Sequence, residues 1–271
     1  NTTLDILSVV LLVAGITAFV YSAGEFSTNL IAGIVTLIAA IVLLGLFAAR
    51  QLILEHPVLN VRPMASVRFW PACLLVVVSM MTTFSMSVLL PLYFEGAYGM
   101  TALVAGLLIL PAIACNAVTS IVGGRVMDAR GAWPLLPVGF ALIAVGQIAI
   151  SMTAASMNIG VVVALTVVVY AGVGLVLSPS QTAGLETLPA AEHPHGTALL
   201  NTWNMIAASF GPSLFIGLLS SSAATAGAAG AATDVAQAIG FAAAVRVAAV
   251  IAVVGFVASL VYAHRESHMS H

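Results

Sequence analysis

The amino-acid sequence predicts an all-α integral membrane protein with eight transmembrane helices. Two observations carry that prediction. Only 6% of the 271 residues are Asp, Glu, Lys or Arg, 62% are hydrophobic, and the mean hydropathy is +1.17. A soluble domain needs about a quarter of its residues charged to coat its surface, so most of this exterior must face lipid. The second observation is continuity: apolar residues come in runs of about 20, the length that spans a bilayer. A barrel strand would instead alternate polar and apolar over about ten residues. In hydrocarbon a helix satisfies its own backbone, which selects the element type.

The runs lie near 4–22, 30–49, 70–94, 101–123, 134–154, 160–185, 196–220 and 236–262. Asp5 leads into the first, which ends in "SAGEFSTN". The second stops at Arg50, where the longest polar connection begins, with Pro57 and Pro63 inside it. The third ends at "EGAYGM" and the fourth at a charged island, "GGRVMDARGAWP". The fifth closes on "ASMN" and the sixth on "ETLPAAEHP". The seventh runs into low-complexity "SSSAATAGAAGAATD", read as a flexible linker. The eighth ends before the tail "HRESHMSH". The first run lacks the basic flank of a signal peptide, and further spans follow it. With Asn1 rather than Met at its start and Asp5 leading straight into a helix, the chain is expected to be part of a longer protein.

Arginine orients the stack, because Lys is absent. Arg50, Arg62 and Arg68 fall in or beside the second gap, Arg125 and Arg130 in the fourth, and Arg265 in the tail. By the positive-inside rule the even gaps and both ends of the chain are cytoplasmic, in a multi-pass protein of the cell membrane. The connection after helix 2 divides the chain into two helices over 1–49, a cytoplasmic loop over 50–69, a six-helix unit over 70–263 and a tail over 264–271. The six helices form two triplets of inverted topology, a plan common among transporters.

No metalloprotease HExxH, nucleophile-elbow GxSxG or P-loop occurs, so the chain does not read as an enzyme. The net charge of −2 says nothing about partners, and no basic stripe is present to meet nucleic acid, so none is expected. Cys73 and Cys115 sit inside apolar runs as small core residues. No cofactor is implied, and the His264, His268 and His271 tail reads as an incidental histidine-bearing end.

Polar groups within the helices are the remaining candidates, since such groups turn toward a bundle interior or a wet cavity. Asn116 lies in mid helix 4 and Gln147 in mid helix 5. Asn201 and Asn204 share one face of helix 7, with Trp203 beside them. These amides either bond across helices or meet a ligand. Arg246, in "FAAAVRVAAVI", either snorkels outward or lines a cavity that holds an anionic group. Glu95 and Glu186 stand at helix ends, and Tyr93 and Trp133 fit an interfacial aromatic belt. Gly172, Gly174, Ala207, Ala208 and Gly211 mark close helix contacts. Pro179 and Pro212 are kink sites.

In these residues the chain resembles the carboxyl-terminal part of a major facilitator superfamily transporter, of the drug:proton antiporter branch with 14 helices. The resemblance covers nearly the whole chain. The island is similar to the family's loop motif G-x-x-x-D-[RK]-x-G-[RK]-[RK]: Gly124, Asp128 and Gly131 match, while Ala129, Ala132 and Trp133 replace basic residues and Arg130 sits one place late. "LDILSVVLLVAG" resembles the first of two extra helices, and "GLVLSPSQTAGLETLPAAEHPHGTALLNTWNMIAASFG" a later core hairpin. The resemblance implies that helices 1–2 are the extra pair and helices 3–8 the second half-bundle, with a six-helix amino-terminal half outside this chain. It further implies export of lipophilic or amphiphilic compounds, proton-coupled, by alternating access. Substrate would meet helices 3, 4 and 7, with Asn116, Asn201, Trp203, Asn204 and Arg246 as candidate contacts. Gly124, Asp128, Arg130 and Gly131 would form a cytoplasmic latch, with Gly123 and Gly124 as a tight helix exit and Asp128 facing a positive helix N-terminus. The bland counterpart is a turn that only fixes topology. The alternative for the whole chain is a membrane scaffold that does not transport, or a half-transporter that needs a partner.

Overall fold

The computed structural model describes residues 5–25, 29–54, 61–67, 69–132 and 134–267, with the backbone alone at Leu30, Ala65 and 263–267. Arg68, Trp133, His268 and His271 lie outside the described residues. Eight helices are long and apolar enough to cross a membrane. They are α1 (Ile6–Glu25), α2 (Leu30–Ile53), α3 (Phe69–Tyr98), α4 (Ala102–Arg130), α5 (Leu135–Thr153), α6 (Ile159–Glu186), α7 (His193–Ala228) and α8 (Thr233–Ser267). Every predicted span is present as a helix.

The helix ends differ from the predicted span ends. At 1.5 Å per residue, α7 and α8 are each more than ~50 Å long, against a hydrocarbon layer of about 30 Å. Polar residues end a membrane span, but alanine-rich sequence keeps a helix going in water. The "SSSAATAGA" segment, expected as flexible linker, is therefore the last two turns of α7, and the true connection is Ala229–Ala232. The charged island is helical as well, as far as Arg130. Gly123 and Gly124 lie within α4 rather than at its exit, and the helix ends at Gly131, whose φ of 75° only glycine adopts freely. Gly123 is instead buried where α4 runs close to α6. Likewise α2 continues through Arg50 to Ile53.

Six helices form one packed unit. α3 and α6 pack on each other at its centre, α4 lies along α6, α7 along α3, α5 on α6 and α8, and α8 on α3 and α7. Exchanging α3–α5 with α6–α8 maps most of these neighbours onto one another, as inverted triplets require; the exception is that α7 runs along α8 while α4 barely touches α5. The core between the helices holds Phe140, Phe215, Phe241 and Tyr93, all fully buried. Tyr93, expected in an interfacial belt, stacks on Phe241 at 4.2 Å and donates its hydroxyl to the Ala154 carbonyl at 2.9 Å, tying α3, α5 and α8 together.

The α1–α2 hairpin docks on this unit through α1, which packs on α7; Phe19 stacks on Phe210 at 4.5 Å. A polar clasp closes the free end of the hairpin. Arg50 Nε and Nη2 donate to the two carboxylate oxygens of Asp5 at 2.6 and 3.0 Å. Ser8 donates to Asp5 at 2.5 Å, and Gln51 donates to the buried Ser8 hydroxyl at 2.7 Å. The Arg50 guanidinium, then the Ser8 hydroxyl, hold the Asp5 carboxyl well below the usual carboxylate range.

Candidate functional site

Four helices carry a proline in their interior: Pro91 in α3, Pro111 in α4, Pro179 in α6 and Pro212 in α7. Each proline withholds one backbone donor and frees the carbonyl four residues before it, here those of Ser87, Leu107, Leu175 and Ala208. Such helices bend without breaking other contacts. These four are the central pair and the two helices that flank it.

Exposed polar side chains fall on three of the same helices. On α6 the exposed stripe carries Ser178, Thr182 and Glu186; on α7, Asn201, Met205, Ser209, Ile216 and Ser220; on α3, Ser87 and Glu95. The spacings of four, seven and eight place each set on one helix face. The outward stripe of α5 is aliphatic by contrast, with Val138, Val145, Ile148 and Met152. Hydroxyls and amides on a membrane-embedded surface imply a neighbour that is not lipid. The face offers hydrogen bonds but no charge at mid-depth, since Glu95 and Glu186 stand near helix ends.

The structure separates the predicted contacts. Asn116 donates its amide to the Tyr170 carbonyl at 3.1 Å, bridging α4 to α6. Asn201 is exposed on α7. Asn204, one turn on, has its Oδ1 buried with no partner among the described residues. Trp203 packs on the cluster of Phe69, Cys73, Val76, Leu199 and Leu200 at the other side of α7. Arg246 is exposed on α8, on none of the proline-bearing helices. Asp128 and Arg130 are exposed on the last turn of α4 and do not pair with each other. Gln147 is fully buried in α5, with neither amide atom bonded. Ser87, Ser178 and Thr182 were legible only as ordinary helix residues, because their exposure depends on which helices are neighbours.

Eight helices of membrane-spanning length, four with an interior proline, and a weakly polar exposed face describe an integral membrane helix bundle of transporter type. Residues 5–212 match the family model for the Major Facilitator Superfamily. The chain is 32% identical to "Lincomycin resistance protein LmrB" of Listeria monocytogenes over 80% of its own length and 47% of the relative's. It is 32% identical to the protein of the same name from Bacillus subtilis, over 80% and 46%. To "Uncharacterized MFS-type transporter YcnB" of Bacillus subtilis it is 32% identical over 96% and 55%. The chain belongs to the major facilitator superfamily. It spans about half the length of the first relatives it matches.

Proposed function

We propose that the complete protein exports lipophilic or amphiphilic compounds in exchange for protons, by alternating access. This chain contributes the two extra helices and the second half-bundle, with both of its ends in the cytoplasm. The observation that carries the reading is the weakly polar face on proline-bearing helices, in a chain whose relatives include proteins named for lincomycin resistance. Hydroxyls and amides suit a neutral or amphiphilic substrate, held at mid-membrane against the amino-terminal half. The eight acidic residues among the described residues lie at or near helix ends or in connections, which supports placing a proton-carrying carboxylate at mid-depth in the other half.

Expressed full-length in a susceptible host, the protein should raise lincomycin tolerance in a manner abolished by a protonophore. Asn204→Leu should cut that tolerance by about three- to tenfold, the worth of one hydrogen bond at ~0.5–1.5 kcal/mol. Full-length protein at normal membrane levels that confers no tolerance to any amphiphilic compound would leave the scaffold reading in place.

The latch is part of the same proposal. Asp128 lies one turn before the Gly131 cap, free to meet the N-terminus of a helix in the other half, where a carboxylate gains about 0.3–1 kcal/mol. Asp128→Asn is expected to slow transport two- to fivefold, converting that energy to a rate at about 1.4 kcal/mol per tenfold, with membrane insertion unchanged. Equal initial rates of uptake into inverted vesicles would remove the latch.

A further inference from the structure

Among the described residues, Arg246 is the one charge placed deep in a spanning helix, and its surroundings point away from substrate. It lies thirteen residues past Thr233, about 20 Å along the axis at 1.5 Å per residue. That position is within two residues of the middle of the Thr233–Tyr262 span. At 100° per residue, Arg246 shares its helix face with Val250, Val253 and Val257, all exposed. The opposite face holds Phe241, Val245, Ala248 and Ala252, all fully buried against α3, α5 and α7. The guanidinium therefore points directly outward, from a surface that is otherwise aliphatic.

Four occupants of that surface can be weighed. Bare hydrocarbon leaves five N–H donors and a charge unmatched. The span is longer than a hydrocarbon layer about 30 Å thick, so snorkelling carries the guanidinium toward the outer headgroups, where it still needs an anion to accept its donors. Among the described residues, a second copy of this chain brings no carboxylate to that depth, since those acidic residues lie at or near helix ends or in connections. Another protein surface would place polar groups along the stripe, as on α6 and α7, and α8 has only valines there. A phospholipid meets the requirements: its acyl chains cover the valines and its phosphate accepts the guanidinium fork.

We infer that Arg246 holds the phosphate of an acidic phospholipid, drawn into the bilayer against the outward face of α8. Net neutralisation favours an acidic lipid over a zwitterionic one, whose own cation would stay near the guanidinium. On the proposed orientation the lipid comes from the outer leaflet, because Arg246 is nearer the α7–α8 connection than the end of α8. The inference goes beyond the export reading and does not depend on it.

The test uses the full-length protein, purified with equal phosphatidylglycerol and phosphatidylcholine and examined by native mass spectrometry. Wild-type protein should retain phosphatidylglycerol at least about tenfold over phosphatidylcholine. Arg246→Leu should lose most of that preference, and Arg246→Lys should keep part of it, since an ammonium remains a point charge for phosphate. Retention unchanged in Arg246→Leu overturns the inference. A spin label at Val250→Cys gives an independent measure: oxygen accessibility typical of lipid is expected, and a protein-covered value overturns it. Loss of lincomycin tolerance in Arg246→Leu with lipid preference intact would return Arg246 to the substrate route.

Discussion

Replacing Gly174 by leucine is expected to abolish the proposed export by the full-length protein and to unfold it far more readily than Gly45→Leu, where a side chain meets open space. A Cβ on Gly174 would stand 2.7 Å from the Asn116 carbonyl oxygen and 3.0 Å from the Ser120 nitrogen. Both are backbone atoms of α4 and cannot swing aside as a side chain can. Two residues earlier, a Cβ on Gly172 would stand 2.5 Å from the Gly139 oxygen and 3.0 Å from the Ile143 nitrogen, on α5. Two residues turn a helix by about 200°, so α6 is wedged between α4 and α5 with a glycine against each. Overpacking costs about 1–3 kcal/mol, and more when backbones must part. The membrane gives no compensating hydrophobic drive, because lipid tails are as apolar as the helix they would cover. Since α4 is held to the unit mainly by α6, the same step also withdraws the Asn116 bond to Tyr170. A loss of about 3 kcal/mol multiplies the open form by about a hundredfold. Thermal challenge followed by size-exclusion chromatography reads this directly. A midpoint for Gly174→Leu equal to that of Gly45→Leu would show that α4 and α6 do not approach so closely.

That contact was legible in the sequence, because two glycines in a membrane helix have few uses besides close approach. The eight spans were legible for a related reason: burial in lipid is a property of composition, averaged over about 20 residues. What composition does not specify is where a helix stops once it leaves the bilayer. Gly123, Gly124 and Asp128 read as a turn because charge and glycine usually end a span, yet α4 carries them all in helical conformation. Nor does it specify which faces meet. Asn116 and Asn204 are alike in sequence, but one amide bridges two helices and the other keeps a buried oxygen unbonded. Trp203, placed beside those amides in the chain, turns to an apolar cluster on another side of the same helix. Asp5 and Arg50 stood as a helix start and a topology marker, 45 residues apart. Their pairing depends on the register of two helices, and no local pattern records register.

The Asp5–Arg50 clasp yields the second large effect, and its sign separates an ion pair from two independent charges. Arg50→Leu is expected to destabilise the hairpin more than the double change Asp5→Leu with Arg50→Leu. The single change leaves the Asp5 carboxylate, itself mostly covered, without its cation where α1 enters the membrane, with the Ser8 hydroxyl still donating to it. Removing both partners removes the uncompensated charge as well, and such paired replacements are often close to neutral. The order of thermal midpoints should therefore be wild type, then the double variant, then Arg50→Leu; a double variant at the sum of the two single losses would mean the residues act separately. Acid supplies a second reading of the same pair. The folded carboxyl titrates below its ordinary value of 3.8, so the clasp contributes its full stability above that value and loses it only as pH falls through the lowered one. Between neutrality and about pH 4 the wild-type clasp should be insensitive to acid. In Arg50→Leu the largest cause of the lowering is gone, so Asp5 should gain its proton at higher pH than in wild type. Hydrogen exchange across the first turn of α1, followed as the buffer is acidified, would register that shift; identical profiles in the two proteins would show that Arg50 does not hold the carboxylate.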